Sequence, residues 1–406
     1  MVQLRSGHQV QLLQGGLAFF AALIADIDRS SQEVRFETYI FNTRGDGAQV
    51  AQALERAAQR GVHVYLVMDG VGTPAIPEEW VARFNTAGVK WLIFSPLGRW
   101  GLLIPSRWRR LHRKLCVVDG RVAYCGGINV LDDFYDPNHG TLDAPRFDFS
   151  VRVVGPLVQS VHEATARFWW RLQAVRTMTK SDFQSAWTSL QQAVQFTRAS
   201  YLDDVEPASD LIPEACAKAD LVLRDNLLNR TRIERSYRKA IGEAQTEIII
   251  ANAYFLPGRK LRQGLIHAAQ RGVRVRLLLQ GRYEYFLQFH ATRPVYGALL
   301  AAGVEIHEYE VSFLHAKVAV IDGHWATVGS SNLDPLSLLL AREANVVVDD
   351  VVFAQKLKAQ LLSAMVNGGV RVDPERYTHR PWRQRVLDRL ALGLVRIMLF
   401  LYGKRY

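Results

Sequence analysis

The sequence predicts an α/β protein of two pseudo-symmetric halves, each a mostly parallel, mixed sheet flanked by helices. Three observations carry that prediction. The hexapeptide Ala-Ala-Gln-Arg-Gly-Val occurs at 57–62 and again at 268–273. Each copy is followed by an apolar β-like run, Val64 to Gly70 and Val275 to Gly281. Each is preceded by a strand-like run with an aromatic pair, Glu37 to Phe41 and Asn252 to Leu256. Strand and helix signals that alternate in this way build layers with a largely parallel sheet, and their recurrence in the same order points to an internal duplication.

Along the chain, the apolar stretch Leu17 to Ile27 follows Gly15 and Gly16 and is closed by Asp26 and Asp28. It has no basic run directly before it and no small-residue exit, so it reads as a packed helix rather than an export signal. In both hexapeptides, Gly after Arg is a helix-terminating signal. Ala87-Gly-Val and Ala302-Gly-Val close the next helix of each half. These marks place a first half at 1–171, a polar, helix-rich connection at 172–221 with a turn-like segment from Asp203 to Pro213, a second half at 222–370 and a basic tail at 371–406. The apolar run Leu390 to Tyr402 is broken by Gly393 and Arg396 and is shorter than the ~20 residues a membrane span needs.

The chain has 406 residues, half of them apolar, with 50 Lys and Arg against 39 Asp and Glu, for a net charge of +11. That excludes a disordered or collagen-like polymer and leaves ample length for buried cores. Three cysteines cannot form a disulfide framework and suit a reducing compartment. The charge calls for an anionic partner: nucleic acid, a membrane surface or a phosphorylated substrate.

The chemistry sits in a motif that occurs once per half. The first copy is His112-Arg-Lys114-Leu-Cys-Val-Val-Asp119, followed after six residues by Gly126-Gly-Ile-Asn129. The second is His315-Ala-Lys317-Val-Ala-Val-Ile-Asp322, followed after six residues by Gly329-Ser330-Ser-Asn332, at an offset of 203. His and Lys two apart on a strand share a face. The Lys neutralises phosphate oxygens while the His attacks phosphorus or transfers a proton. Asn129, Asn332 and the Ser330 hydroxyl can donate to the remaining oxygens. Asp119 and Asp322 precede glycine, so turn chemistry is part of their reading alongside catalysis. Two copies supply one histidine for each side of an in-line displacement.

These paired motifs resemble the phospholipase D superfamily, and the resemblance covers nearly the whole chain. Within it the sequence is similar to the short, type B bacterial cardiolipin synthases. Glu37-Thr-Tyr-Ile-Phe, Asn252-Ala-Tyr-Phe-Leu-Pro-Gly and the long stretch His324-Trp-Ala-Thr-Val-Gly-Ser-Ser-Asn-Leu-Asp-Pro-Leu-Ser add to the match. The resemblance implies a phosphatidyl transferase that joins two phosphatidylglycerol molecules through a phosphohistidine and releases glycerol. It implies His112 as nucleophile and His315 as acid and base, with Lys114, Lys317, Asn129 and Asn332 on the phosphate. It also implies a carboxylate some thirty residues downstream to orient each histidine. Asp148 stands 36 residues after His112, and Glu343 stands 28 after His315. No metal and no cofactor are expected. A phospholipase D hydrolase releasing phosphatidic acid, and a nuclease or phosphodiesterase of the same superfamily, use the same residues.

Two segments lack a counterpart in the other half. The first half carries twelve extra residues before its motif, within Ser95 to Arg110. There Trp100, Leu103, Ile104 and Trp108 lie among basic residues including Arg109 and Arg110, a composition suited to an anionic membrane interface. The tail holds nine Lys or Arg against three acids, with Val386, Leu387, Leu390, Leu394, Ile397 and Met398 at helical spacing. It reads either as an amphipathic membrane helix or as the closing helix of the second core. Because basic residues are interleaved with Trp and Leu, an anionic phospholipid surface is favoured over nucleic acid. The expected location is the cytoplasm, peripherally bound to the inner face of the cell membrane.

Overall fold

The computed structural model describes residues 3–98, 105–178, 188, 191, 217–225, 229–283, 286–334 and 341–401. The chain forms two compact units. The N-terminal unit takes Gln3–Asp132 and Ser150–Leu221, and the C-terminal unit takes Asp133–Phe149 and Val222–Tyr406. The segment 133–149, expected in the first half, therefore belongs to the second. The tail beyond 370 is likewise part of that unit, and most of the expected connection 172–221 lies outside the described residues.

The N-terminal unit opens with β1 (Arg5–Gln14), α1 (Gly15–Arg29), β2 (Glu33–Thr38), α2 (Asp46–Gln59), β3 (His63–Asp69), α3 (Glu78–Ala87) and β4 (Lys90–Phe94). After β5 (Arg110–Leu111) come β6 (Lys114–Val118) and β7 (Val122–Gly126). The chain then makes the short pair β8 (Tyr135–Asp136) and β9 (Gly140–Thr141) before β10 (Phe149–Val154), α4 (Leu157–Met178) and β11 (Ala217–Arg224). The sheet order is β1-β10-β7-β6-β2-β3-β4. It is parallel across β2, β3 and β4 and antiparallel between β2 and β6, β6 and β7, and β7 and β10. Every residue of β6 is buried, as an apolar strand covered on both faces should be. One face packs on α1, α2 and α3 through residues such as Leu23, Leu54 and Phe84; the other meets Phe168 and Trp169 of α4.

The C-terminal unit repeats the plan with α5 (Arg232–Glu243), β12 (Glu247–Asn252), α6 (Arg259–Gln270), β13 (Arg274–Gln280), α7 (Phe286–Ala301), β14 (Glu305–Tyr309), β15 (Lys317–Ile321) and β16 (Trp325–Gly329). It ends in β17 (Ala341–Asp349), α8 (Val351–Gly368), β18 (Gly369–Arg371), α9 (Pro374–Thr378) and α10 (Trp382–Leu401). Its sheet order is β18-β14-β13-β12-β15-β16-β17, parallel only across β12, β13 and β14.

The repeated hexapeptide is a helix terminator in both units. Gly61 and Gly272 each adopt φ +90. The amides of Gly61 and Val62 return to the carbonyls of Ala58 and Ala57, and those of Gly272 and Val273 to Ala269 and Ala268. This double closure needs a left-handed residue, which glycine adopts without a Cβ penalty. The chain is then turned straight into β3 or β13.

Candidate active site

Each motif is held at the end of a buried strand. In the N-terminal unit, Phe36 and Glu37 of β2 lie opposite Cys116 and Leu115 of β6, so Thr38 is next in register at the Lys114 end. Lys114 is buried and its Nζ donates to the His112 carbonyl at 2.7 Å. His112 is half-buried, with the Tyr39 ring 5.1 Å away centre to centre, and the Lys114 ammonium lies 5.6 Å from that same ring. Asn129 Oδ1 accepts from the Ile40 amide at 3.2 Å, tying the loop after β7 to the end of β2.

In the C-terminal unit, Asn252 of β12 pairs directly with Lys317. Lys317 is fully buried, and its Nζ donates to the His315 carbonyl, the same fold-back that Lys114 makes. The countercharge is Asp148, whose Oδ2 lies 3.8 Å from Lys317 Nζ and 2.6 Å from His315 Nδ1. Backbone pairing puts Asp148 there: the His315 amide donates to the Phe147 carbonyl at 2.9 Å, and the Phe147 amide donates to Phe313 at 3.0 Å. An Nδ1–H donated to a carboxylate fixes the ring and its tautomer and commits Nε2 to chemistry. A buried ammonium and imidazole sharing one carboxylate form a compensated group that an anion can enter.

Three expectations need correction. Asp148, expected from its spacing to serve His112, accepts from His315 Nδ1, and its segment 133–149 belongs to the C-terminal unit. Ser330 is fully buried and its hydroxyl donates to Glu343, so its donor serves a carboxylate rather than a phosphate. Glu343 is fully buried, and its Oε2 accepts from the Ser330 hydroxyl. Asp119 and Asp322 stand at the opposite ends of β6 and β15 from the lysines, roughly 16 Å away along a strand. Asp119 accepts the amides of Ser31, Gln32 and Glu33 at 2.8–2.9 Å. Asp322 accepts those of Gln245, Thr246 and Glu247 at 2.8–3.0 Å. Both have φ near +50, which Asp tolerates in turns. Their geometry gives them a turn role: they staple the start of the preceding strand to the motif strand. Burial alone would raise the Asp322 carboxyl, but the amide donors outweigh it and hold it below the usual range.

The membrane-contact residues divide. Trp100, Leu103 and Ile104 lie outside the described residues. Trp108 is half-buried and Arg109 exposed. Arg110 turns inward, binding Asp69 at 3.0 Å and the Ser95 carbonyl at 2.9 Å, so its charge serves its own unit. Cys116 is buried in the core, where burial pushes its thiol up.

Two neighbours escaped the sequence reading. Asn252 is fully buried; its Oδ1 accepts from the Leu333 amide at 3.1 Å, while its Nδ2 has no hydrogen-bond partner among the described residues. A buried donor left over beside a buried ammonium is what an anionic oxygen would satisfy. The Tyr39 ring against His112 is the other. The signal for Asn252 is its place as the last residue of the β12 run, opposite Lys317 in register.

A family model described as "Cardiolipin synthase, PLD-like domain" matches residues 23–141 and 237–365, taking in both motifs. The chain belongs to this family of phospholipase D-like cardiolipin synthases. It is 35% identical over 98% of its length to Cardiolipin synthase B of Salmonella typhi, covering 90% of that protein. Identity to Cardiolipin synthase B of Escherichia coli K12 is 34% over the same share of each chain. Among solved structures it matches the phosphatidylserine synthase of Haemophilus influenzae Rd KW20 with a TM-score of 0.68 over 99% of this chain and 97% of that one, at 12% identity, which speaks to the fold. No described helix is long and apolar enough to cross a membrane.

Proposed function

We propose that this cardiolipin synthase works through a phosphohistidine, with phosphatidylglycerol as both donor and acceptor. His112 Nε2 attacks the phosphatidyl phosphorus, and the P–O bond to the headgroup glycerol breaks. His315 gives that oxygen a proton and glycerol leaves. The terminal hydroxyl of a second phosphatidylglycerol then passes its proton to His315 and attacks phosphorus. The P–N bond breaks, cardiolipin is released and His112 is restored. Lys114, Lys317, Asn129, Asn332 and the free Asn252 amide donor neutralise the oxygens.

The observation that carries this reading is the 2.6 Å pair between His315 Nδ1 and Asp148, which prepares His315 to take and return a proton. The enzyme acts peripherally at the cytoplasmic face of the membrane on an anionic phospholipid. Exposed Arg109 and the half-buried Trp108 beside His112 support that placement.

The test is to incubate the purified chain with phosphatidylglycerol vesicles and identify products by mass spectrometry. Cardiolipin with one glycerol per transfer is expected, together with an acid-labile phosphatidyl adduct on His112. Phosphatidic acid alone would make water the acceptor and overturn the transferase reading.

A further inference from the structure

The last helix is apolar on two faces, and only one of them is used. α10 lies beside α7 and runs against it. Arg380, just before α10, and Tyr377 of α9 sit near the Arg293–Tyr296 turn, where the Tyr377 hydroxyl donates to the Arg293 carbonyl and its ring stacks 5.9 Å from Tyr296. Further on, Asp388 accepts from His290 at 2.8 Å and from Arg380 at 3.0 Å. Around Asp388, the buried residues Ala391, Leu392 and Val395 complete the docked face. The face expected from the sequence is a different one: Val386, Leu387, Leu390, Leu394 and Ile397 are all exposed, Leu390 at 66% and Ile397 at 58%. The Met398 side chain lies outside the described residues.

At 100° per residue, the exposed stripe and the docked face are on opposite sides of the helix. Arg385, Arg389 and Arg396 line one border of the stripe and are exposed. The sequence left two readings for the tail, core helix or surface helix; each face of α10 answers to one of them.

The stripe also has a position relative to the chemistry. Because α10 runs against α7, its turns beyond Asp388 lead toward the Phe286 end of α7. There Tyr283 and Phe286 are also exposed, each at 52%. This end follows β13, and Gln280 at the tip of β13 accepts from the Leu314 amide, next to His315, at 3.2 Å. The apolar surface therefore extends toward the His315 end of the C-terminal unit.

We propose that the exposed face of α10, with Tyr283 and Phe286, is a docking surface for an anionic phospholipid bilayer. Its occupant is argued from charge. An apolar stripe edged by three unpaired-in-sign arginines matches acyl chains beneath negative headgroups, whereas a like copy of the chain would bring arginine against arginine. Aromatic rings at the end of the stripe belong at the headgroup level. The bilayer would thus meet the C-terminal unit on the side where His315 and Lys317 wait for phosphate. This rests on the lipid reading above and adds the surface by which the enzyme reaches its lipid.

The test uses the full chain with two variants, Leu390→Ser/Leu394→Ser/Ile397→Ser and Arg385→Gln/Arg389→Gln/Arg396→Gln. All six side chains are exposed, so the fold is retained, checked by thermal melting. Binding is measured by co-sedimentation with vesicles of phosphatidylcholine alone or mixed with phosphatidylserine, and activity with short-chain phosphatidylglycerol dispersed below its micelle concentration. The serine variant should lose ~10-fold or more in binding to mixed vesicles. The glutamine variant should lose the preference for phosphatidylserine. Both should keep turnover of dispersed substrate within about twofold of the unsubstituted chain. Unchanged vesicle binding by the serine variant overturns the proposal. So does a shift of that variant from dimer to monomer with binding intact, which would make the face a contact between copies. A chain that binds vesicles but makes no cardiolipin from dispersed substrate leaves the surface standing and removes the catalytic reading.

Discussion

The two halves share a frame and differ in what lies behind it. Both end β6 and β15 in an Asp at φ near +50 that gathers three amides, and both fold a buried Lys back onto the carbonyl of its own histidine. Directly behind the first motif, Arg113 and Glu37 form a buried bidentate ion pair, with Nε–Oε2 at 2.5 Å and Nη2–Oε1 at 2.9 Å. The equivalent positions in the second half are Ala316 and Ala251, both fully buried. Where the first half places Tyr39 against His112, the second has the small Ala253. Where the second half seats Asp148 on His315, the partner comes from a segment outside its own repeat. The duplicated skeleton presents a buried Lys beside each histidine, and the unshared residues around it are where two chemically identical histidines can be given different work.

Loss of either histidine should have the largest effect. His112→Ala and His315→Ala should each lower cardiolipin formation by ~10⁴ or more. They should differ in one readout: only His315→Ala should still accumulate the phosphatidyl adduct from an activated donor whose leaving group needs no proton. An adduct formed by His112→Ala and not by His315→Ala would exchange the two roles.

The next largest effect is on stability. Glu37→Ala leaves the Arg113 charge buried without its partner and should cost about 3–5 kcal/mol in denaturant unfolding. The double variant Glu37→Ala/Arg113→Ala reproduces the pair found in the second half and should recover at least half of that loss. A double variant as unstable as the single one would show that the first half depends on this ion pair for more than charge compensation.

Asp148→Asn tests the carboxylate that only the second motif receives from outside its repeat. Asn can accept from His315 Nδ1 but cannot stabilise the imidazolium, so kcat should fall ~10²-fold with KM nearly unchanged. Because the substitution also removes the countercharge of the buried Lys317, the thermal midpoint should fall as well. A loss confined to KM would mean that Asp148 acts on substrate binding through Lys317.

Much of this was legible in the sequence because it is local or repeated. Strand parity put His and Lys on one face, the shared offset exposed the duplication, and Arg-Gly after a helical run gave the terminators. The relations that escaped are long-range. Asp148 and His315 are 167 residues apart, and counting forward from each histidine assigns the carboxylate to its own repeat. Ser330 carries a donor suited to phosphate, but only tertiary structure shows that Glu343 already takes it. In α10 the helical period is clear, yet a helix with two apolar faces gives no signal of which one docks, since Ala391, Leu392 and Val395 are as apolar as Leu390 and Leu394. The Lys-x4-Asp spacing holds because a strand of fixed length separates the phosphate end from the turn end, so a residue shared by both motifs need not touch substrate.

The smallest effect is expected at Asp322. Asp322 sits at the turn end of β15, and its amide donors favour the charged form, so its folded-state pKa is depressed below the ordinary 3.8. A carboxylate with a lowered folded pKa stabilises the protein above its unfolded pKa, and that stabilisation is lost as pH falls through the folded value. Asp322→Asn tolerates the same left-handed backbone and keeps one accepting oxygen, but it loses the charge that strengthens the amide bonds. It should therefore melt lower at neutral pH, by about 1 kcal/mol or less. The gap to the unsubstituted chain should close as pH is taken below about 4, where the unsubstituted Asp begins to protonate. Cardiolipin formation at neutral pH should remain within about twofold, because a turn anchor roughly 16 Å along the strand from Lys317 does not reach the phosphate. A large loss of activity in a variant that melts normally would return Asp322 to the catalytic group.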